Sequence, residues 1–195
     1  MADCLVLASG SGTNFEAIAV RLSRSPHRLL ALVCDQPEAF AVTRAERLLV
    51  PALRISYRDG RREAESRLER ALVSLAPDLV VLAGFMRILP AAVVDRFPGR
   101  IVNVHPSLLP AFPGLHAIER SYADAGAPMG ISVHLVDHGV DTGPLLARFE
   151  AERTGEPSLH EMEERIHTLE HRHYPRIVEE QLDAIDRARG TRGRT

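Results

Sequence analysis

Short apolar runs alternate with segments of helical spacing along the first half of the chain. Within residues 61–75, Leu68, Leu72 and Leu75 share one helical face, and arginine and glutamate occupy the other. The apolar runs are continuous, which is typical of strands that are buried on both faces of a parallel sheet. The predicted strands are residues 4–8, 29–34, 52–55, 79–83 and 101–104, and the predicted helices are residues 13–22, 39–49 and 61–75.

This alternation indicates an α/β protein with a Rossmann-like, mostly parallel sheet and helices on both faces. Past residue 105 the pattern changes, and residues 131–136 and 144–149 are predicted to extend the sheet as an antiparallel pair of strands. Residues 158–187 are predicted to form one long helix or two, starting at a capping box. We therefore expect a single domain over residues 1–187 and a disordered, Gly- and Arg-rich tail over residues 188–195.

The composition argues against several classes of protein. The chain has 195 residues, of which 45% are hydrophobic and 26% charged, as is ordinary for one globular domain. A net charge of -2 gives no reason to expect a nucleic-acid or membrane partner. No apolar run approaches the roughly 20 residues that span a bilayer, and no basic leader segment is visible, so we expect a cytoplasmic protein.

Two further features of the composition are unusual. Lysine is absent, so all 24 basic residues are arginines. The two cysteines, Cys4 and Cys34, lie in separate apolar runs. They are predicted to be buried thiols on neighbouring strands, because a disulfide framework needs more cysteines.

A glycine-rich loop, Ser-Gly-Ser-Gly-Thr-Asn at residues 9–14, separates the first strand from the first helix. Glycine lets a ligand approach the backbone closely, and the free N–H groups at a helix start attract an anion such as phosphate. Gly10 and Gly12 also match part of a dinucleotide fingerprint, and Asp35 lies where a ribose-binding acid is expected, but Phe15 takes the place of the third glycine. A phosphate site, a dinucleotide site and a plain turn all stay open on this loop alone.

The fifth predicted strand ends in Asn103-Val104-His105, at the edge where open parallel sheets bind ligands. The two-residue period of a strand places Asn103 and His105 on the same side. An amide can stabilise an oxyanion and an imidazole can move a proton, so the pair suits acyl transfer. His134 lies on another strand, and an acidic loop with Asp137 and Asp141 follows it. A satisfied polar pair and a solvated turn are the alternatives.

Nine histidines raise the question of a metal site. His167 and His171 have i, i+4 spacing and His173 lies nearby, but no cysteine joins them. The neighbouring carboxylates suit salt bridges equally well, so the sequence predicts no metal.

Five segments together resemble the phosphoribosylglycinamide formyltransferase family, the folate-dependent enzymes of purine biosynthesis. They are residues 9–14, Ala-Gly-Phe-Met-Arg-Ile-Leu at 83–89, Ile-Val-Asn-Val-His-Pro-Ser-Leu-Leu-Pro-Ala-Phe-Pro-Gly at 101–114, Val-Asp-Thr-Gly-Pro at 140–144, and Glu170-His171 with Tyr174-Pro175. The resemblance extends to about residue 185. It implies a Rossmann-like formyltransferase domain whose substrates are 10-formyltetrahydrofolate and 5-phosphoribosylglycinamide, with no metal.

The resemblance also implies a role for each matching residue. His105 would be the proton donor, Asn103 would orient the formyl oxygen, and Asp141 would raise the pKa of His105. Glu170 would contact the ribose. The residues implied to hold the phosphate are Gly12, Thr13 and Asn14. The residues implied to line the folate site are Met86, Arg87, Ile88, Leu89, Asn103, Asp137, His138, Gly139, Val140 and Asp141, with Arg62 or its neighbour Arg61 as a folate-contacting arginine.

Direct attack of the glycinamide amine on the formyl carbon, through a tetrahedral intermediate, is the expected mechanism, because no serine or cysteine nucleophile is paired with a base. Four alternatives are weighed against it. A methionyl-tRNA formyltransferase would need a further basic domain, and a formyltetrahydrofolate deformylase an N-terminal regulatory domain. Phe15 argues against a dehydrogenase, and a non-catalytic phosphoribosyl-binding module leaves Asn103, His105 and Asp141 without a purpose. The oligomeric state cannot be read from the sequence, and a homodimer stays open.

Overall fold

The computed structural model describes residues 1–192, which form a seven-stranded sheet covered by helices. The strands are β1 (Asp3–Ala8), β2 (Arg28–Cys34), β3 (Ala52–Arg54), β4 (Leu79–Leu82), β5 (Ile101–His105), β6 (Met129–Leu135) and β7 (Leu145–Ala151). Their order across the sheet is β3-β2-β1-β4-β5-β6-β7. The first five strands are parallel, and β6 and β7 add to the sheet in antiparallel fashion. The predicted Rossmann-like sheet and its antiparallel extension are both confirmed.

The helices pack on both faces of the sheet, as predicted. They are α1 (Thr13–Leu22), α2 (Phe40–Arg47), α3 (Arg61–Leu75), α4 (Ala91–Arg96), α5 (Ala117–Ala123) and α6 (Leu159–Arg192). Side chains of β1 alternate between two cores: Val6 packs with α1, α2 and α6, and Leu5 packs with α3 and α4. Continuous apolar strands are required here because both faces of the sheet are buried.

Two helices, α4 and α5, were not predicted from the sequence pattern. Each has only six or seven residues and no side-chain hydrogen bond at its N-cap, so neither carries a strong start signal. The C-terminal segment is one helix, and it continues past Pro175.

The same helix corrects the predicted tail, because residues 188–192 are helical. Arg189 donates to Asp78 over 2.6 Å, and the Met1 amine pairs with Asp186 at 2.5 Å, so this end of α6 is held against the start of the sheet. The rest of the predicted tail, residues 193–195, lies outside the described residues. A single domain over residues 1–187 stays a prediction.

Helix α6 is tied to the centre of the sheet by Tyr174. Its buried hydroxyl lies 2.8 Å from the carbonyl of Leu82, the last residue of β4, and 3.0 Å from the carbonyl of Val102, the second residue of β5. This contact places Glu170, one turn earlier on α6, beside the start of α1. The two cysteines are buried and unpaired on the neighbouring strands β1 and β2, as predicted. Across residues 1–192, we find no helix that combines the length and the apolar character needed to cross a bilayer.

Candidate active site

Polar side chains gather at the carboxyl edge of the parallel strands. Strand β1 lies between β2 and β4, so the chain changes direction across the sheet at this point and leaves a crevice beyond the strand ends. The glycine loop after β1, the loop after β4 and the end of β5 all open toward it. The loops are joined directly, because the Ser9 amide donates to the Gly84 carbonyl (3.0 Å) and the Met86 amide donates to Ser9 Oγ (2.8 Å).

The antiparallel pairing of β5 with β6 places a histidine beside the predicted amide. Asn103 is opposite His134 in the register, and Asn103 Nδ2 lies 3.2 Å from His134 Nε2. His134 Nδ1 lies 2.8 Å from the Leu135 carbonyl, which can only accept, so Nδ1 carries a hydrogen. Nε2 of the neutral ring then accepts from the Asn103 amide, an assignment made from the hydrogen-bond network.

Asp141 joins these side chains to His105. One carboxylate oxygen, Oδ2, accepts the Gly114 amide at 2.8 Å and lies 3.3 Å from His105 Nδ1. The other, Oδ1, lies 3.4 Å from both Asn103 Nδ2 and His134 Nε2. Asn103, His105 and Asp141 therefore meet in one cluster.

Both ring nitrogens of His105 face acceptors. Nε2 donates to the Phe112 carbonyl at 2.9 Å, so this nitrogen carries a hydrogen whatever the charge of the ring. The proton that is gained and lost is therefore the one on Nδ1, which faces Asp141. This geometry gives the pair of side chains a path for a single proton.

Burial sets the net direction of the pKa of His105, whose side chain is only 7% exposed. Burial lowers this pKa below its usual value, and the Phe112 carbonyl and the Asp141 charge, which raise it, do not compensate. The expected raising effect of Asp141 is present, but the net shift has the opposite sign. Burial by itself raises the pKa of Asp141, but the Gly114 amide and the two neighbouring histidines, when they are protonated, outweigh it and leave that pKa lowered.

Two members of this cluster had no role in the sequence prediction. His134 was noted there only as a histidine on another strand, because its position opposite Asn103 depends on the β5–β6 register. The Phe112 carbonyl is a backbone group, and no sequence signal indicates where it lies. The alternation of β6 was the one signal that could have identified His134.

The glycine loop has the shape of an anion cradle at the start of the ten-residue helix α1. Gly12 has a φ of 75°, and a Cβ there would lie 2.6 Å from both Cα and Cβ of Ala41. Glycine is therefore required for both backbone conformation and space. The Ala41 amide donates to the Gly10 carbonyl (3.1 Å) and Arg44 Nε donates to the Ser11 carbonyl (2.9 Å), which fixes the loop against α2.

Asn14 and Glu170 meet at the side of this cradle. Asn14 Nδ2 donates to Glu170 Oε2 over 2.8 Å, and both side chains are buried. Burial raises the pKa of Glu170 to about 7, although the Asn14 hydrogen bond lowers it. Asn14 Oδ1 is buried without a hydrogen-bond partner among residues 1–192, so the pair can accept a donor from a ligand.

The loop after β4 presents the apolar side chains that were assigned to a folate site. Met86 and Ile88 are 64% and 67% exposed, whereas Leu89 is buried in the second core. Large exposed apolar side chains beside a polar cluster are typical of a ligand surface.

The Arg87 side chain is held by a different element. Arg87 Nε donates to Asp35 Oδ2 at 2.7 Å, and its guanidinium lies 4.4 Å from the centroid of the Tyr57 ring. These residues line a cavity of about 190 Å³. Asp35, the candidate ribose-binding acid of a dinucleotide site, therefore pairs with Arg87.

The structure separates the two candidate arginines of α3. Arg61 pairs with Glu65 at 2.6 Å, and its charge acts on Tyr57, so it lies close to the Arg87 cluster. Arg62 is exposed in the first turn of α3, and no interaction brings it to the other predicted folate residues within the part of the chain described.

The acidic loop is closed by its own hydrogen bonds. Asp137 Oδ1 accepts the Gly139 amide (3.0 Å) and the Thr142 hydroxyl (2.7 Å), and the hydroxyl bond chiefly keeps the pKa of Asp137 low. His138 pairs with Asp95 at 3.0 Å on the surface, and Val140 is half exposed. The loop therefore carries Asp141 into the cluster while Val140 faces outward.

The three clustered histidines of α6 do not converge on one point. The His167 and His171 rings lie 6.4 Å apart, and His173 stacks on Phe149 at 3.7 Å. Within residues 1–192, no group of three or more histidine, cysteine, aspartate or glutamate side chains is arranged to hold a metal ion.

The chain is similar to known proteins over almost its whole length. A family model described as formyl transferase matches residues 2–178. The phosphoribosylglycinamide formyltransferase of Bacillus subtilis is 38% identical over 188 residues, which are 93% of this chain and 95% of the relative. Its counterpart from Escherichia coli is 35% identical over 180 residues, or 90% of this chain and 85% of the relative.

Solved structures are also similar to this chain over most of its length. The crystal structure of glycinamide ribonucleotide transformylase 1 from Geobacillus kaustophilus has a TM-score of 0.88 and 42% identity, and the match covers 93% of this chain and 99% of that one. The corresponding enzyme from Symbiobacterium toebii has a TM-score of 0.88 and 36% identity, with 94% of this chain and 89% of that chain covered. The range matched by the family model, residues 2–178, includes β5, the acidic loop and the part of α6 that carries Glu170.

Proposed function

Because the chain belongs to the formyl transferase family, we propose that it transfers the formyl group of 10-formyltetrahydrofolate to the amine of 5-phosphoribosylglycinamide. The products are formylglycinamide ribonucleotide and tetrahydrofolate, in purine biosynthesis. The observation that carries the proposal is the contact of Asn103, His105 and Asp141 at the sheet edge, next to a glycine cradle for phosphate. The setting we propose is a single-domain cytoplasmic enzyme that acts on small molecules.

The glycinamide substrate is assigned to the cradle and to α6. Gly12, Thr13 and Asn14 present the start of α1 to the phosphate, because the amides of a first helical turn lack intrahelical partners. Glu170 accepts hydrogen bonds from the ribose hydroxyls, which also satisfies a buried carboxylate whose one hydrogen-bond partner within residues 1–192 is Asn14. Ribose binding then favours the ionised form of Glu170.

The folate is assigned to the opposite side of Asn103. Met86, Ile88 and Val140 offer exposed apolar surface to the flat pteridine, and the loop from Asp137 to Asp141 borders it. Arg87 contributes through its backbone, since its side chain is paired with Asp35. Arg62 or its neighbour Arg61, both in the first turn of α3, is our candidate for the folate-contacting arginine.

The amine attacks the formyl carbon directly, and the carbonyl oxygen becomes an oxyanion. The Asn103 amide hydrogen that makes the long 3.4 Å contact with Asp141 turns to the oxyanion. One such donor is typically worth about 3 kcal/mol in the transition state. The His105–Asp141 pair takes one proton from the attacking nitrogen and returns one to the departing folate nitrogen, so the transfer is balanced in protons.

The test follows the absorbance of the folate with and without 5-phosphoribosylglycinamide. We expect turnover only when the glycinamide is present, and a kcat at least about 100-fold lower in Asn103→Ala and Asp141→Asn. His105→Ala should lower kcat far more than it weakens folate binding. His160→Ala, which removes an exposed histidine of α6, is the matched control, and its kcat should equal that of the wild type.

Other outcomes would contradict the proposal. Folate consumed at the same rate without the glycinamide would indicate a hydrolase of the deformylase type. If no folate is consumed with or without the glycinamide, the protein would instead be a phosphoribosyl-binding module without catalytic activity. Near-normal turnover in His105→Ala would remove His105 from the chemistry.

A further inference from the structure

The loop over residues 112–116 has an unusual backbone. Phe112, Gly114 and His116 all have positive φ, at 54°, 77° and 57°. Two of these residues carry a Cβ, so the left-handed conformation is strained there and persists only if surrounding contacts hold it.

Within residues 1–192, the hydrogen bonds from this loop to His105 and Asp141 come from its backbone. The Phe112 carbonyl accepts from His105 Nε2 (2.9 Å) and the Gly114 amide donates to Asp141 Oδ2 (2.8 Å). The residue between them, Pro113, has no amide hydrogen, but its carbonyl is available. A shift of Pro113 would therefore move both the Phe112 carbonyl that contacts His105 and the Gly114 amide that contacts Asp141.

Arg120, on α5, holds Pro113 in place. Its guanidinium donates to the Pro113 carbonyl through a short hydrogen bond and to the His116 carbonyl at 3.4 Å. The same group lies 6.0 Å from the centroid of the Phe112 ring. Three residues of the loop are thus held by one side chain, whose planar fork suits two acceptors.

We propose that Arg120 is a positioning residue, which clamps the 112–116 loop so that the Phe112 carbonyl keeps the hydrogen of neutral His105 on Nε2. The consequence for kinetics rests on the proposed function, whereas the consequence for the tautomer does not. If the clamp is lost, the carbonyl moves away and Asp141 becomes the stronger acceptor for the neutral ring. The hydrogen then shifts to Nδ1.

Arg153 provides a matched control. It donates to the carbonyls of Tyr122 (2.8 Å) and Asp124 (3.2 Å), and its guanidinium lies 5.0 Å from the centroid of the Tyr122 ring. Arg153 therefore makes the same kinds of contact, two carbonyls and one ring, without a hydrogen bond to the 112–116 loop. A purely structural role of Arg120 predicts equal effects at the two positions.

The experiment compares wild type, Arg120→Met, Arg120→Lys and Arg153→Met. Ring-nitrogen NMR of protein labelled with ¹⁵N-histidine, without substrates and at a pH where His105 is neutral, distinguishes the two tautomers. The His105 signals are identified by their loss in His105→Gln. We expect the Nε2–H form in wild type and Arg153→Met, and the Nδ1–H form in Arg120→Met.

Kinetics give the second readout. We expect Arg120→Met to lower kcat by about 10- to 100-fold, since small misplacements of reacting groups have effects of this size, with the KM of both substrates changed less than about threefold. Arg120→Lys should recover part of kcat, because an ammonium group still reaches one carbonyl. Arg153→Met should match wild type.

The idea is overturned if Arg120→Met keeps the wild-type tautomer, or if Arg153→Met loses as much kcat as Arg120→Met. A lower melting temperature with an unchanged tautomer would also reduce Arg120 to a structural role. A tautomer change as expected, in a protein that transfers no formyl group, would instead contradict the proposed function and leave the clamp intact.

Discussion

At the scale of single residues, the contacts around His105 decide which of its nitrogens can exchange a proton. The presence of an amide, an imidazole and a carboxylate could be predicted from their positions on a strand end and an acidic loop. The net pKa of His105 could not, because it depends on how deeply the ring is buried, and burial outweighs the nearby Asp141. His134 likewise acquires a role only from the pairing of β5 with β6.

Glu170 gives a prediction about stability and pH. Its pKa is about 7 in the folded protein, against an ordinary value of 4.5, so the folded state binds more protons than the unfolded state between these values. The free energy of unfolding must therefore fall as pH rises through this window, by up to about 3 kcal/mol. Glu170→Gln keeps the shape and the Asn14 contact but removes the titration.

We expect the melting temperatures of Glu170→Gln and wild type to be similar at pH 5, and that of the variant to be higher at pH 8. Differences between the two proteins cancel the titration of other groups, such as His105. The same advantage of the variant at both pH values would show that Glu170 does not titrate in this range.

At the scale of elements, apolar runs predicted the strands and helical periodicity predicted the long helices, but the two short helices were missed. Helices α1, α2, α3 and α6 have enough residues to show a period of about 3.6. Helices α4 and α5 cover two turns or fewer, so they depend on tertiary packing, as Val93 and Ala117 are buried against the rest of the protein. Pro175 does not end α6, because tertiary contacts such as that of Tyr174 hold the helix on both sides of it.

The glycine loop gives a prediction with an internal control. Gly12→Ala places a methyl group 2.6 Å from Ala41 and forces a positive φ on a residue with a Cβ, so the loop must move. A Cβ at Gly10 meets no atom within 4 Å. We expect Gly12→Ala to raise the KM of the glycinamide at least about tenfold, with little change in the KM of the folate, because a displaced loop loses the phosphate.

Steady-state kinetics with each substrate varied in turn would test this. Gly10→Ala should stay within about twofold of wild type. Equal effects of the two substitutions would mean that the cradle is not the phosphate site.

At the scale of the whole molecule, α6 connects both halves of the site to the sheet. It carries Glu170 to the cradle, and Tyr174 on the same helix contacts the end of β4 and the first half of β5, at Val102 next to Asn103. At its far end, Arg189 pairs with Asp78 ahead of β4. The sequence indicated a long helix here, but its path across the sheet depends on contacts between residues far apart in the chain.

Tyr174→Phe tests how much this connection stabilises the protein. The substitution removes a buried donor that serves two carbonyls and leaves the packing unchanged, so we expect a loss of about 1–3 kcal/mol in the free energy of unfolding. Tyr122→Phe, which removes a partly buried hydroxyl bonded to the Pro157 carbonyl at 3.1 Å, should cost less than about 1 kcal/mol. Urea unfolding of the three proteins would measure both, and a loss in Tyr174→Phe no larger than in Tyr122→Phe would contradict the central role of Tyr174.

The Asn14–Glu170 hydrogen bond also has a consequence for the protein while it is being made. Its two partners are separated by 156 positions, so Asn14 leaves the ribosome long before Glu170 has been translated. At about 5–20 residues per second, this delay is about 8–31 s. During that time the nascent chain can form the cradle and the first five strands but not the ribose contact. If the proposed assignment of the glycinamide substrate is right, the complete site for its phosphate and its ribose forms only near the end of translation.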